Sequence, residues 1–215
     1  MGKLLLGLTL GKKGLFLKKM VEMTLSSSAK TQEIPSYLIY EMDDGRPIYY
    51  KGYKEVLAGT KDFEAIMADS TLQAWLKGEL FALIKMLLPA GYITTVGEQG
   101  LQLKKSSWRA ADIAIFKKEN FALSNHYSSK APEIAIEIDT KADLDSPGAS
   151  IDYFDRKNRQ LLEFGVKKII WIFTEVQAIK VLVPGEDVQH FEWEEDITVM
   201  EGVQFNLQKI MNQLL

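Results

Sequence analysis

The sequence predicts a mixed α/β (α+β) domain, a central sheet with helices packed on it and a β-hairpin at its N-terminal side. Three observations lead there. Short apolar runs bounded by polar and glycine-containing turns recur along the chain, the pattern of buried strands. Two longer stretches repeat apolar residues at three- and four-residue steps, the helical period. The order is hairpin, helix, several strands, helix, strands, with no internal repeat and no sign of a second domain. A length of 215 residues suits one well-packed domain or one with extensions, and 47% hydrophobic with 26% charged residues is ordinary for a folded protein.

Residues 1–32 are expected to form an N-terminal extension and residues 33–215 a single domain. Leu4 to Leu10 resembles the apolar region of a signal peptide, but Lys12 and Lys13 interrupt it and no small-residue cleavage site follows. It is also too short to span a bilayer. The simplest reading is a flexible or amphipathic extension, with Met20 and Met23 as alternative starts. Ser26 to Gln32 is a polar linker.

Tyr37 to Met42 reads as a strand, Asp43 to Arg46 as a turn, and Pro47 to Tyr50 as the returning strand. Short helical pieces follow at Tyr53 to Leu57 and Lys61 to Met67. Asp69 or Ser70 caps a long helix to Leu88, with a stripe that includes Leu72, Trp75, Leu76, Leu80, Leu83, Ile84 and Leu87. Tyr92 to Val96 and Leu101 to Leu103 read as strands about a Gly97-Glu98-Gln99-Gly100 turn. Arg109 to Phe116 and Pro132 to Lys141 are two further strands, separated by a polar loop from Lys117 to Ala131. Asp143 to Gly148 is another loop. Ser150 caps a helix from Ile151 to Phe164, and Gly165 sits where a C-terminal cap belongs. Ile169 to Phe173 is a strand covered on both faces. Ala178 to Val183 and Val188 to Trp193 form a hairpin, followed by a strand at Ile197 to Met200 and a helix from Leu207 to Leu215.

Composition narrows the chemistry. There is no cysteine, which excludes disulfides and thiolate zinc sites and fits a reducing, cytoplasmic setting. His126 and His190 are the only histidines, so any metal takes oxygen ligands, favouring magnesium, manganese or calcium. No later segment reads as transmembrane, so no membrane partner is expected. A net charge of -3 does not advertise a nucleic-acid binder. Lysines and arginines do cluster locally, as at Lys104-Lys105 and Arg156-Lys157, and read either as solvated faces or as contacts to nucleic acid.

The candidate site lies in the two acidic strands. Ile134, Ile136 and Ile138 share one face of their strand, while Glu133, Ala135, Glu137 and Asp139 share the other. If the strands pair with Asp112 beside Glu137, two carboxylates reach one small volume, and a divalent cation relieves their repulsion. The alternative is a salt bridge from either acid to an arginine such as Arg109. On the second helix, Lys157 falls on the stripe of Phe154, Leu161 and Phe164. It either snorkels to the rim or points at the acidic site. Glu79 follows Trp75 by four residues and precedes Leu83 by four, making it a third acid or a border residue pairing with Lys77 or Arg46. Glu41, inside an apolar strand, is a further acid.

Asp112 followed by Glu137-Ile138-Asp139-Thr140-Lys141 resembles the core of the PD-(D/E)XK nuclease superfamily. The wider order of elements resembles the Uma-type restriction-endonuclease family, a domain of unknown function within it. Tyr40 to Gly45 matches that family's Tyr-Glu-x-x-Asp-Gly hairpin with the aspartate doubled, and Lys157, Gly165-Val166 and Ile170-Trp171-Ile172 match its later helix and strand. The likeness covers roughly Tyr37 to Trp193. It implies a restriction-endonuclease-like mixed sheet and a metal-dependent endonuclease that hydrolyses phosphodiester bonds in DNA. Asp112 and Glu137 would bind Mg2+ or Mn2+ with the Ile138 carbonyl. The usual lysine two residues after the second acid is here Asp139, so the resemblance places the lysine role at Lys157, or at Lys141, with Glu41 or Glu79 in support. Cutting both strands of a duplex calls for two active sites, which makes a homodimer one expectation. A nuclease-like fold kept as a catalytically inactive binding or assembly module is the second reading. A glycosidase comes last, because the acidic strands lack sugar-stacking aromatics.

Overall fold

The computed structural model of the protein describes residues 33–145 and 149–214. The expected extension over residues 1–32 and part of the loop before the second long helix lie outside the described residues.

A 3-10 turn at Ser36–Leu38 leads into β1 (Ile39–Asp43), which returns as β2 (Arg46–Tyr49). Asp44 and Gly45 between them both have positive φ, 47° and 83°. That is the condition for the two-residue hairpin turn whose twist matches its strands, and Asp-Gly is a sequence that meets it. Short helices α1 (Tyr53–Leu57) and α2 (Glu64–Met67) precede the long helix α3 (Thr71–Leu87). Ser70 is the cap of α3, its side chain accepting the Gln73 N–H at 3.2 Å. Asp69 has other partners, described below.

The expected pair of strands about Gly97 to Gly100 is in fact one strand, β3 (Tyr92–Lys104). Val96 pairs with Ile113 and Gln99 with Ala111, so three steps on β3 oppose two on the next strand. The glycine-bounded segment that reads as a turn is thus absorbed as a bulge, with Gly97 at φ 111°. β4 (Ser107–Lys117) pairs with β3 along its length, and β5 (Ile134–Ile138) carries the second acid. Helix α4 spans Ala149–Phe164, so Ser150 lies inside it and is not its cap. Gly165, at φ 121°, ends it as expected, with the N–H groups of Gly165 and Val166 both reaching the Leu161 carbonyl. β6 (Lys168–Phe173) follows, then β7 (Ala178–Leu182), β8 (Gln189–Glu192) and β9 (Ile197–Met200). β10 (Val203–Phe205) was not expected. It pairs with β9 and leads to α5 (Leu207–Met211), a shorter final helix than expected, capped by Asn206 through the Lys209 N–H.

The sheet order is β2-β1-β4-β5-β6-β7-β8, with β3 also on β4. Among the described strands only β5 and β6 pair in parallel, and α4 is the crossover between them. The apolar core lies on both faces. Ile134, Ile136 and Ile138 pack with Leu76, Leu80 and Ile84 of α3, while Ala114, Ala135 and Trp171 pack with Tyr153 and Leu161 of α4. This is a mixed α/β fold with a mostly antiparallel central sheet flanked by helices. No described helix is long and apolar enough to cross a membrane.

Candidate active site

The site forms where the sheet forks. β3 occupies one edge of β4, so β1 and β5 share the other: β1 meets it at Trp108 and β5 at Ile113 to Ile115. Between those contacts the edge of β4 has no strand partner among the described residues, and two carboxylates accept backbone N–H groups across the fork, one from β4 and one from β5. Glu41 Oε1 accepts the Ala110 N–H at 3.0 Å, and Asp112 Oδ2 accepts the Ile138 N–H at 2.7 Å. Such charge-assisted bonds satisfy backbone groups that would otherwise be buried unpaired. Continuing the β4–β5 register one step past Ile113–Ile136 sets Asp112 opposite Glu137.

Lys157 does not snorkel. It is fully buried, with Nζ 2.9 Å from Glu41 Oε1 and 3.1 Å from Glu137 Oε2, over the Trp171 ring at 5.2 Å. The buried side of α4 is Tyr153, Lys157, Gln160 and Leu161, a stripe centred on the lysine. Arg109, also fully buried, takes a role other than the one expected. It pairs with Glu41 Oε2 at 2.9 Å and with Gln160 at 2.9 Å, and contacts neither strand acid. The Tyr153 hydroxyl donates to the same Glu41 oxygen at 2.9 Å.

A second set of charges lies on the α3 side. Lys77 Nζ is 2.6 Å from Asp112 Oδ1 and 2.8 Å from Asp69 Oδ2. Lys141 Nζ is 2.8 Å from both Asp69 Oδ1 and Glu98 Oε1. Gln73, one helical turn before Lys77, donates to the Ile138 carbonyl at 2.5 Å.

Of the residues expected at the site, Glu41, Asp112, Glu137 and Lys157 come together, with Ile138 held through both its N–H and its carbonyl. Lys141 reaches Asp112 indirectly, through Asp69 and Glu98 to Lys77. Glu79 is half-buried with no ion pair among the described residues, because the inward face of α3 is Gln73, Leu76, Lys77, Leu80 and Ile84. Sequence reasoning missed Lys77. Its signal was present, since Lys77 lies four residues after Gln73 and seven before Ile84. The apolar stripe of α3 was read too wide, and its centre fell toward Trp75 and Leu83, which are only partly buried. Asp139 also departs from expectation. Its φ of 57° breaks the strand alternation, so its carboxylate turns away from Glu137 and accepts the Thr174 N–H at 2.8 Å and hydroxyl at 2.7 Å.

The four buried groups are driven in different directions. Burial pushes the Glu137 carboxyl well above its ordinary range; Lys157 opposes this and Asp112 adds to it. Burial raises Asp112 too, against the pull of Lys77 and the Ile138 N–H. For Glu41, burial is outweighed by Lys157 and Arg109, and its pKa falls. Burial works against the Lys157 ammonium, yet Glu137 and Glu41 hold its pKa well above normal. The result is an ionised Glu41 beside a charged Lys157, with both strand acids driven upward by burial.

Glu137 Oε1 is buried with no hydrogen-bond partner, beside the second carboxylate, and this fits an oxygen-ligated ion. The Ile138 carbonyl keeps one lone pair beyond its bond to Gln73. Among the described residues no three His, Asp or Glu side chains are placed to hold a metal, so the pair would be completed by water or backbone oxygen.

A crystal structure of a "putative nuclease belonging to DUF820" from Anabaena variabilis is similar in fold, with a TM-score of 0.58 at 16% sequence identity. The match covers 81% of this chain and 90% of that one. No family model and no curated protein matches the chain. The fold is therefore nuclease-like.

Proposed function

We propose that the protein is a metal-dependent endonuclease that hydrolyses phosphodiester bonds in DNA at the fork between β4 and β5. One observation carries this reading: Glu137, 2% exposed, pairs through Oε2 with the fully buried Lys157 at 3.1 Å, while its Oε1, on the side shared with Asp112, has no hydrogen-bond partner among the described residues. Buried charges of this kind seldom stabilise a fold better than apolar residues of the same size. Their presence calls for a task other than packing.

Asp112 and Glu137 would hold magnesium or manganese, with the Ile138 carbonyl as an additional oxygen. The bound ion would lower the pKa of its water and neutralise the scissile phosphate. Lys157 supplies a fixed positive charge that stabilises developing negative charge or orients the attacking water. Glu41 holds that ammonium in place and is itself fixed by Arg109, Tyr153 and the Ala110 N–H.

Supercoiled and linear DNA, and RNA, incubated with the protein and Mg2+ or Mn2+ test this reading. DNA cleavage is expected that stops in EDTA and in Asp112→Ala, and that falls at least about a hundredfold in Lys157→Met. Full cleavage by Asp112→Ala contradicts the mechanism. The inactive-module reading rests on a specific observation of its own, the Lys77 ammonium seated on Asp112. In that case no variant changes an already absent activity.

A further inference from the structure

We propose that Lys77 is a built-in counter-ion of the carboxylate pair, and that its ammonium must leave Asp112 before a divalent cation binds there. The inference rests on the reading of Asp112 and Glu137 as cation ligands. Lys77 is only 5% exposed and projects from the inward face of α3 between Gln73 and Leu80. Its Nζ lies 2.6 Å from Asp112 Oδ1, while the other oxygen of Asp112 is committed to the Ile138 N–H. Both oxygens of Asp112 are therefore engaged, and the one facing α3 is already paired with an ammonium. A dication on that oxygen would meet an ammonium at contact distance in a poorly screened interior, so the two exclude one another.

A second seat for the ammonium exists. Lys77 already touches Asp69 Oδ2 at 2.8 Å, and Glu98 Oε1 stands 4.0 Å away. The Asp69 and Glu98 side chains are the more exposed of its partners, at 21% and 37%, so this seat lies toward solvent. Lys141 bridges both acids and holds them in position to receive it. Rotation of one flexible side chain frees Asp112 without leaving Lys77 unpaired. The independent observation is the Glu137 Oε1, which is buried with no hydrogen-bond partner among the described residues on the strand side.

The test is a calorimetric titration of the full chain with Mn2+, comparing the wild type, Lys77→Met and Lys77→Met with Asp112→Asn. Lys77→Met is expected to bind about tenfold or more tightly than wild type, and the double variant to lose that binding. Carboxylate-dependent binding that is unchanged or weaker in Lys77→Met overturns the inference and leaves the reading of the site intact. Absence of carboxylate-dependent binding in every form overturns both. Should Lys77→Met not fold, the wild type gives the answer by NMR, with the Lys77 Cε–Hε resonance assigned from Lys77→Arg. Movement of that resonance along the Mg2+ titration supports displacement. A resonance that stays fixed while the site saturates overturns it.

Discussion

Glu137 is a buried acid whose pKa is raised in the fold by burial and by Asp112. A group of this sign contributes stability below the ordinary carboxylate range and loses it as pH rises from about 4.3 toward the folded value. Glu137→Gln keeps the shape and removes the charge. The variant should therefore melt above wild type at neutral pH, by roughly 2 to 4 °C for each kcal/mol recovered, and the difference should vanish as pH falls below 4. Thermal unfolding followed by circular dichroism across pH reads it, and a gap that widens toward acid contradicts the assignment. Arg109 behaves oppositely. Replacing it with methionine leaves Glu41 and Asp43 without their shared guanidinium in a dry site, at a cost of about 3–5 kcal/mol in urea unfolding.

Three elements set the site: the α3 face that carries Gln73 and Lys77, the fork of β4, and the α4 face that carries Lys157. Ser70→Ala removes the α3 cap and should cost about 1 kcal/mol. Gly165→Ala should cost at least as much. It forces a side chain into φ 121° with the new Cβ 3.3 Å from that of Ala131, at the turn that aims β6 back alongside β5. Both are read as midpoint shifts in denaturant. Elements of this kind were legible in the sequence where local chemistry decides them. The Asp-Gly hairpin, a helix cap at Asp69 or Ser70, the Gly165 stop and the placement of Lys157 among apolar helix positions all follow from neighbours a few residues apart. β3 was not legible, because a glycine-bounded segment between two apolar runs serves a turn or a bulge equally well, and only pairing with β4 chooses the bulge. Asp139 was misplaced for a similar reason, since strand alternation says nothing about where the strand stops.

At the scale of the whole molecule, the sequence located two strand acids and one lysine, and the fold shows them embedded in a longer series of alternating charges. That series runs from Glu98 through Lys141, Asp69 and Lys77 to Asp112, and from Glu137 through Lys157 and Glu41 to Arg109. Its members come from segments far apart in the chain, so no spacing rule reveals their contacts. What the fold adds is the Lys77 ammonium seated on Asp112, from which the proposed competition with an external cation follows. Diffraction from crystals saturated with Mn2+, with anomalous data at the manganese edge, tests this account most directly. It predicts a peak bonded to Asp112 and Glu137, with Lys77 moved off Asp112 toward Asp69 and Glu98. An Asp112–Glu137 pair without manganese, still closed by Lys77 at contact distance, would contradict it.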